Sequence, residues 1–555
     1  MITRRGALVL AGVAALGLAG CGGAARTQLP GGAAGHSDIN PRPRDQVRDG
    51  GDLRWPIDVM PDNFNFNQFS GTQGQTLEIV EALLPAPFRG TEDGGLELNT
   101  DYLTSAVLTS TSPQVVTYTI NPRATWSDGT PLTWRDFEAQ WKALRGADPA
   151  FQVAGTTGYE DMASVARGAD DRQAVVTYAR PFAEWRNDFR PLYPASTNSD
   201  PSVFNTGWVN KIPVTAGPFT VASIDLAAKT VTLERNPRWW GAPAKLDRII
   251  FKVVERAALA DGLANNEIDF YRIGSNVDLF RRAQSTPGAA VRQSPGRRYN
   301  HITFNGSPGA ILSDVRLRQA IAKGIDRAAI TRRLIGQIAP NMTPAGNHVY
   351  AYGSKDYRDN SDILPYDQAA ANRELDALGW ARQGAGRARN GQPLRLRLVE
   401  STPNPISEQI DRTVLDQLAQ IGVTVTIEPV PLNQMAAAYR QGNFDLAGFA
   451  WENTSTPFSS SRGIYTAPTE SGAINQNYGR IYNPEISALF DQGIRELDDT
   501  KRAEIGNRAD RLIWQEVHHL PLYPDSGAYA VRSTLANFGA PGFADIDYIN
   551  AGFAK

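Results

Sequence analysis

The sequence predicts an α/β protein that folds as more than one domain. Two stretches alternate between strand and helix patterns, one between residues 117 and 144 and the other between residues 394 and 427. The chain has 555 residues, which is more than a single hydrophobic core organises. An apolar fraction of 41% and a charged fraction of 21% are typical of a globular protein. We therefore expect two or three domains.

The first stretch is typical of a strand, a turn and a capped helix. Residues 117–120 have strand composition, and the Asp-Gly pair at 128–129 favours a turn because it tolerates a left-handed backbone. Thr133 and Asp136 have the spacing of a capping box. Apolar residues at helical spacing continue to Leu144, so a helix is predicted to begin after Thr133.

The second stretch predicts a strand–helix–strand unit. Leucines at 394, 396 and 398 alternate with arginines, as in a strand with one buried face. Residues 406–421 place apolar side chains on one helical face, and Gly422 ends that helix. Residues 423–427 alternate again, and a right-handed crossover would make the two strands parallel in one sheet. Similar patterns predict helices at 315–323, 326–335, 367–378, 484–496 and 500–517.

The N-terminus predicts export and a lipid anchor. Arg4 and Arg5 precede an apolar segment at 7–19, which is too short to span a membrane and typical of a signal peptide. Leu-Ala-Gly then precedes Cys21, the only cysteine of the chain, and resembles a bacterial lipobox. We expect residues 1–20 to be removed and Cys21 to be acylated. The protein would then face the extracytoplasmic side of the cell membrane.

Residues 21–50 are predicted to form a flexible tether. They are rich in Gly, Ala, Pro, Arg and Gln and show no periodicity, so ordered structure is expected to begin near Gly51. No later apolar run reaches membrane-spanning length.

Composition and motifs argue against several functions. The net charge is −2 without a basic block, which argues against nucleic-acid binding. The sequence contains no nucleophile elbow, no His-Glu-x-x-His and no phosphate loop, so we expect neither catalytic residues nor a cofactor. His518 and His519 are sequence neighbours, and we interpret them as a solvated helix end rather than a metal site. We expect a monomer.

Several short motifs occur in the order seen in one known family. They are W-S-D-G-T-P-L-T at 126–133, T-A-G-P-F at 215–219, L-E-R-N-P-R-W-W at 233–240, L-D-R-I at 246–249, N-E-I-D at 266–269, F-N at 304–305, D-V-R-L-R-Q-A-I at 314–321, I-D-R at 325–327 and the segment 367–380. Between about residues 51 and 545, the chain resembles the family 5 extracellular solute-binding proteins, the oligopeptide-, dipeptide- and nickel-binding group of ABC importers.

The resemblance implies a two-lobed periplasmic-binding-protein fold of type II with an extra domain inserted in the first lobe. Lobe 1 would comprise 51–92, 214–299 and 520–555, the inserted domain 93–213, and lobe 2 residues 300–519. A ligand bound at the hinge would draw the lobes together, and the closed form would dock on a permease.

The resemblance also suggests where the ligand binds. Peptide binders of this family hold the ligand amine with a carboxylate in a W-x-A-D-like loop; here Asn453 stands at that position and Glu452 precedes it. Loop 449–457 and the amide-rich loop 61–67 both interleave aromatic and polar amide side chains, so we expect them to face each other across the cleft, with 475–478 as a third candidate. The predicted ligand-binding residues are Asn63, Asn65, Phe66, Asn67, Trp451, Glu452, Asn453 and Asn475.

These observations favour a lipid-anchored solute-binding protein that delivers an oligopeptide or peptide-like ligand to an ABC permease. Two alternatives remain from the sequence. One is a regulator of cell-envelope assembly on the same fold, and the other is a lipid-anchored cell-wall hydrolase, which would need a carboxylate pair about 5–10 Å apart.

Overall fold

The structure is a computed structural model that describes residues 36–402, 404–431, 434–467 and 474–555. The predicted signal peptide and Cys21 lie outside these residues. No helix in the described ranges is both long and apolar enough to cross a membrane.

The chain forms short strands and helices that alternate along its length. The strands are β1 (Asp52–Ile57), β2 (Phe88–Gly90), β3 (Leu96–Leu98), β4 (Leu103–Thr111), β5 (Gln114–Ile120), β6 (Met162–Arg167), β7 (Gln173–Tyr178), β8 (Phe219–Asp225), β9 (Thr230–Arg235), β10 (Arg248–Val253), β11 (Phe270–Arg272), β12 (Ala289–Gln293), β13 (Arg298–Phe304), β14 (Ala381–Gln383), β15 (Gly386–Arg389), β16 (Gln392–Pro393), β17 (Arg395–Thr402), β18 (Thr424–Pro431), β19 (Leu446–Glu452), β20 (His519–Pro524), β21 (Ala528–Arg532), β22 (Leu535–Ala536) and β23 (Gly552–Phe553). The helices are α1 (Gly74–Val80), α2 (Trp134–Leu144), α3 (Ala195–Asn198), α4 (Pro201–Thr206), α5 (Leu259–Ala264), α6 (Val277–Ser285), α7 (Val315–Lys323), α8 (Arg327–Ile335), α9 (Gln368–Ala377), α10 (Pro405–Gln420), α11 (Met435–Gln441), α12 (Pro457–Tyr465), α13 (Pro484–Arg495) and α14 (Asp499–Glu516).

Lobe 1 is built on two sheets that combine distant parts of the chain. One sheet has the order β1-β10-β9-β8, with β1 parallel to β10. The other has the order β11-β21-β12, so the C-terminal part of the chain completes it. Asp269 joins the two parts: its buried carboxylate accepts from Arg54 Nη2 at 2.6 Å and lies 3.5 Å from Arg532 Nε. The N-E-I-D motif is therefore a structural element of lobe 1.

The inserted domain is an antiparallel sheet, β4-β5-β7-β6, covered by α2. The predicted capping box is confirmed, because the Thr133 N–H donates to the carboxylate of Asp136 at 2.8 Å. The same carboxylate accepts from the N–H of Ala195 at 2.8 Å and so holds α3 against α2. The W-S-D-G motif thus forms a turn and helix start rather than a ligand site.

Lobe 2 is a five-stranded sheet of order β18-β17-β19-β13-β20. The predicted strand–helix–strand unit is confirmed, because β17 and β18 pair in parallel and α10 connects them. The buried faces of these strands pack with α7, α8, α9 and α10 in one apolar core. β20 pairs with β13, so the chain returns to lobe 1 after Pro524 and not at residue 520, where we expected it.

Two connecting segments, 294–297 and 525–527, run side by side between the lobes. Ser294 N–H donates to the Gly527 carbonyl at 3.2 Å, and Asp525 N–H donates to the Arg298 carbonyl at 2.6 Å. Gly527 has φ +59°, and a Cβ there would lie 1.5 Å from the carbonyl oxygen of Ser294. The approach of the two connections therefore requires glycine at this position.

Residues 36–50 do not form the predicted tether, because they pack on the C-terminal part of lobe 1. Asp38 and Val47 form bridges with Ala540 and Ala554, and the Val47 side chain is fully buried. Arg44 Nη1 donates to the side chain of Asn550 at 2.9 Å. The order of this segment could not be predicted from its own composition, because the residues that it packs against lie about 500 positions away along the chain.

Candidate functional site in the interlobe cleft

Two adjoining cavities lie where lobe 1 and the inserted domain meet lobe 2. Chamber A has a volume of about 650 Å³ and chamber B about 690 Å³. Arg297, Thr454 and Ser455 line both, so the chambers meet at the connection between the lobes. Volumes of this size are typical of ligand sites.

Strand β19 carries the predicted loop into this cleft. β17, β18 and β19 run in the same direction, so their carboxyl ends meet at one edge of the lobe 2 sheet. Ligands of open α/β sheets bind at such an edge. Residues 452–456 follow there and line chamber A, before α12 begins at Pro457.

Glu452 and Asn453 stand on the wall of chamber A, as the sequence predicted. The Glu452 side chain is exposed to the chamber. Asn453 is only 8% exposed; its N–H donates to the Arg297 carbonyl at 3.0 Å and its Nδ2 to the Val349 carbonyl at 3.3 Å. Its Oδ1 accepts no hydrogen bond from any residue in the described ranges. Ligand contact by these two residues remains a prediction.

Trp451 lines neither chamber, contrary to the predicted position. Its ring stacks on His301 with centroids 5.9 Å apart and planes 5° apart, and on Tyr478 at 6.0 Å and 15°. Phe449 contacts it edge-on at 5.1 Å. Because alternate residues of a strand point to opposite faces, Trp451 lies on the face opposite Glu452.

Asn63 and Asn65 are buried and hold their own loop together, so they do not face the cleft as predicted. Asn63 Nδ2 donates to Gln68 Oε1 at 3.0 Å, and Asn63 Oδ1 accepts from the Asn65 N–H at 3.0 Å. Asn65 Nδ2 donates to the Phe204 carbonyl at 2.9 Å. Asparagines two residues apart favour such local side-chain turns.

The remaining predicted residues divide between the cleft and other surroundings. Phe66 lines chamber A, and its N–H donates to Tyr193 Oη at 2.7 Å. Asn67 lines neither chamber, and its N–H donates to Asn65 Oδ1 at 3.1 Å. Asn475 is exposed with φ +51° and also lines neither chamber, so the structure places neither asparagine on the walls of chambers A and B.

Sequence reasoning missed the charged residues that lobe 1 and the inserted domain bring to chamber A. The chamber is lined by five acidic and three basic residues: Glu81, Asp101, Glu452, Asp545, Asp547, Arg89, Arg190 and Arg297. One signal was present. Glu78 lies in α1 and Glu81 follows that helix directly, three residues later in a mainly apolar stretch. Acidic residues are rarely buried beside a core unless they have a partner or a function.

Most of these charges have protein partners. Asp545 forms an ion pair with Arg190 and accepts from the Gly90 N–H at 2.9 Å. Arg297 Nη2 donates to the Phe543 carbonyl at 2.7 Å, and its guanidinium lies 5.2 Å from the centroid of the Phe543 ring. Desolvation lowers the pKa of Arg297, although the charge of Asp545 opposes that shift.

Two glutamates of α1 and its end have raised pKa values. Desolvation raises the pKa of Glu78 to about 7, against the hydrogen bond that it accepts from Trp55 Nε1 at 3.2 Å. Glu81 is open to the water of the chamber but surrounded by protein in most directions. This desolvation, together with the negative charge of Asp545, raises the pKa of Glu81 to about 8.

Direct contacts join the inserted domain to lobe 2 across the cleft. The Glu184 carboxylate accepts from the N–H groups of Phe458 and Ser459 at 2.9 and 3.0 Å. Ser455 Oγ donates to Asn187 Oδ1 at 2.9 Å. Arg495 Nη1 donates to Asp161 Oδ2 at 2.7 Å. The lobes therefore touch each other over the chambers.

Four of the five histidines form a buried cluster in lobe 2 instead of the expected solvated helix end. The rings of His301 and His348 lie 4.4 and 4.6 Å from that of His519. His348 Nδ1 lies 2.6 Å from Asp510 Oδ1, and His518 Nε2 lies 2.8 Å from Asn477 Oδ1. In the part of the chain that the structure describes, no group of three His, Cys, Asp or Glu is placed to hold a metal ion.

Comparison with known proteins gives a family and several relatives. The family described as bacterial extracellular solute-binding proteins, family 5 middle, matches residues 97–473. The oligopeptide-binding protein OppA of Mycobacterium tuberculosis is 43% identical over 523 residues, which cover 94% of this chain and 87% of OppA. The probable monoacyl phosphatidylinositol tetramannoside-binding protein LpqW of M. tuberculosis is 27% identical over 411 residues, covering 68% of this chain and 64% of LpqW.

Solved structures confirm the predicted two-lobed fold of type II. The periplasmic EDTA-binding protein EppA has a TM-score of 0.84 at 24% identity and covers 96% of this chain and 100% of its own. The oligopeptide-binding protein AppA from Bacillus subtilis, in complex with a nonapeptide, has a TM-score of 0.73 at 18% identity and covers 92% of this chain and 100% of its own. The family is one of solute-binding proteins and OppA, at 43% identity, is a binding protein and not an enzyme, so the hydrolase alternative has no support.

Proposed function

Because the chain belongs to family 5 of the bacterial extracellular solute-binding proteins, we propose that it captures an oligopeptide or peptide-like ligand and delivers it to an ABC permease. The observation that carries this proposal is the 43% identity to an oligopeptide-binding protein over 94% of the chain. The ligand would lie in chambers A and B, between the lobes, and its contacts with both lobes would favour the closed form.

The lining of the chambers supports a peptide-like ligand. Chamber A combines apolar and aromatic side chains, among them Phe66, Tyr102, Trp239 and Tyr548, with charged and amide groups. Such a wall can accommodate different side chains, and ordered water can fill unused space. Glu452 offers a free carboxylate for the amine of a peptide, a role that we assign to it as part of the proposal.

We place the protein on the extracytoplasmic face of the cell membrane, held by a lipid on Cys21. A lipobox and a signal-like N-terminus support this location. An uncharacterized lipoprotein of M. tuberculosis is also a relative, 26% identical over 497 residues that cover 81% of this chain and 84% of that protein. Delivery to a permease by a monomer belongs to the same proposal.

Native mass spectrometry with a defined peptide pool tests the proposed function. The pool contains synthetic peptides of three to nine residues without Lys, Arg or His, so that the α-ammonium is their only cation. We expect one-to-one complexes with a subset of the pool. Absence of any complex at 100 μM peptide would reject peptide capture and favour the alternative of a regulator of cell-envelope assembly.

The Glu452 assignment has its own test. Glu452→Gln is expected to weaken the tightest pool peptide at least fivefold, because an ammonium–carboxylate pair becomes an ammonium–amide contact. Glu428→Gln, at a half-buried position of β18 outside both chambers, serves as the matched control. Equal affinities of the two variants would reject the amine-binding role of Glu452.

A further inference from the structure

Glu81 is a carboxylate without a protein partner on the lobe 1 side of chamber A. It follows α1 directly, and its side chain is exposed to the chamber. It accepts no hydrogen bond and forms no ion pair with any residue of the described ranges. A carboxylate that the protein itself leaves unpaired inside a ligand cavity is available to the ligand.

The charged groups that face Glu81 are engaged elsewhere. Asp545, from the C-terminal segment, holds Arg190 of the inserted domain and the Gly90 N–H. Arg297, from the connection between the lobes, donates to the Phe543 carbonyl. Glu78, on the preceding turn of α1, accepts from Trp55. Two negative and two positive groups thus surround Glu81, and none of them forms an ion pair with it.

Lobe 2 presents further unpaired acceptors to the same chamber. Glu452 is exposed there, and the more than nine-tenths buried Asn453 leaves its Oδ1 without a donor among the described residues. Glu81 and Glu452 both act electrostatically on Arg297, so this arginine lies within range of acceptors from both lobes. Free acceptors converging from two sides, in a chamber with more acidic than basic residues, fit a ligand cation that donates hydrogen bonds.

We propose that chamber A binds an ammonium group of the ligand between Glu81 of lobe 1 and the acceptors of lobe 2, and that Glu81 releases a proton when this group binds. The inference rests on the proposed function, because it takes the ligand to be a peptide with a free amine. The carboxyl O–H bond of Glu81 breaks, its proton passes to water, and the carboxylate pairs with the ammonium. No other bond changes.

The charge state of the empty chamber gives the proton release its direction. Since the pKa of Glu81 is raised to about 8, roughly nine-tenths of the carboxyl groups carry a proton at pH 7. A bound ammonium favours the ionised form and lowers the pKa. Binding at pH 7 should therefore release close to one proton. Below pH 8 the affinity should rise about tenfold for each unit of increasing pH.

Isothermal titration calorimetry tests the inference on the full-length mature protein with the tightest peptide of the pool. Titrations between pH 5.5 and 7.0 keep the α-ammonium of the peptide charged, because its pKa is about 8. Two buffers with different ionisation enthalpies count the protons released. The N-acetyl form of the same peptide lacks the cation. Glu81→Gln mimics the protonated side chain, and Glu267→Gln removes an exposed glutamate of lobe 1 outside both chambers.

The expected result has three parts. The wild type and Glu267→Gln release about one proton, and their affinity rises about tenfold per pH unit. Glu81→Gln releases none, shows a flat pH profile and binds the free-amine peptide at least tenfold more weakly at pH 7. The N-acetyl peptide binds the wild type and Glu81→Gln with equal affinity, and its binding releases no proton.

Different failures point to different errors. If the free-amine and N-acetyl peptides bind the wild type equally and independently of pH, the inference is overturned while the proposed function stands. If Glu81→Gln keeps the proton release, another group supplies the proton and the inference is also overturned. If no peptide binds at all, both the proposed function and the inference fall. Thermal melting of each variant confirms that it is folded.

Discussion

The carboxylate of Glu184, in the inserted domain, accepts a hydrogen bond of 2.9 Å from the backbone N–H of Phe458, in the first turn of α12 in lobe 2. The same carboxylate accepts from Ser459 N–H at 3.0 Å. Side-chain acceptors normally cap a helix from the residue that precedes it. Here the cap of the helix belongs to the opposite side of the cleft, so this helix end is fully hydrogen-bonded only while the two sides touch.

We predict that Glu184→Gln shifts the protein toward more open forms. The change removes a negative charge from a helix N-terminus, where such a charge contributes about 0.5–2 kcal/mol. Small-angle scattering of the ligand-free protein should then show a larger radius of gyration. Glu160→Gln, an exposed acidic residue of the inserted domain, is the control. Identical scattering from the two variants would show that the contact does not bias the lobes.

The close approach of the two connections makes Gly527 a sensitive position. Gly527→Ala would place a Cβ 1.5 Å from the Ser294 carbonyl oxygen at a φ of +59°. We expect a fall in melting temperature of several degrees, because either the backbone strain persists or the connections separate. Gly288→Ala, at a φ of +73° with open space around the added Cβ, separates the effect of backbone conformation from that of the contact. Equal melting temperatures for both variants would contradict the role of close packing.

The buried histidine cluster predicts a loss of stability in acid. Desolvation lowers the pKa of His518 to about 3 and holds the pKa values of His301 and His519 well below the usual 6.5. Below pH 6.5 the unfolded chain binds protons at His301, His518 and His519 that the folded protein excludes. Stability therefore falls as the pH falls, by about 1.4 kcal/mol at pH 5.5 for each of these three histidines.

Urea unfolding at pH 7.5 and pH 5.5 measures this effect. In His518→Gln, the loss of stability between the two pH values should be smaller than in the wild type by about 1.4 kcal/mol. His36→Gln changes the one histidine outside the cluster and should leave the loss unchanged. If His518→Gln loses as much stability between the two pH values as the wild type does, this histidine titrates normally in the folded protein.

Cys21→Ser should release the protein from the membrane. Multiple acyl chains on one cysteine would anchor it, since each buried CH₂ contributes about 0.8 kcal/mol. The mutant should lose metabolic labelling with fatty acid and move to the soluble extracytoplasmic fraction. Persistence in the membrane fraction without label would point to another anchor.

The local patterns of the sequence predicted the elements of the fold well. Helices 315–323 and 484–496 correspond to α7 and α13 within one residue, and the parallel pair β17–β18 follows from residue alternation and crossover hand. Such features depend on neighbours close in the chain. The segment 36–50 was not predicted, because its structure depends on strands near the C-terminus.

The cleft was predicted only in part for a similar reason. Glu452 and Asn453 could be placed there because a strand delivers them to the edge of its sheet. Glu81 and Asp545 are 464 positions apart and meet in chamber A only after lobe 1 is assembled. Asn63 and Asn65 have the composition of a binding loop, but their side chains satisfy the backbone of that loop.

The packing of residues 36–50 on the C-terminal segment has a consequence for transport geometry. Fourteen residues lie between Cys21 and His36, so the chain between these two positions spans at most about 54 Å. With the lipid on Cys21, lobe 1 is the part held near the bilayer, and its distance from the membrane surface is bounded. Opening and closing would then move lobe 2 relative to lobe 1, whose distance from the membrane is limited. A permease would therefore contact lobe 1 in both the open and the closed form, and lobe 2 in only one of them.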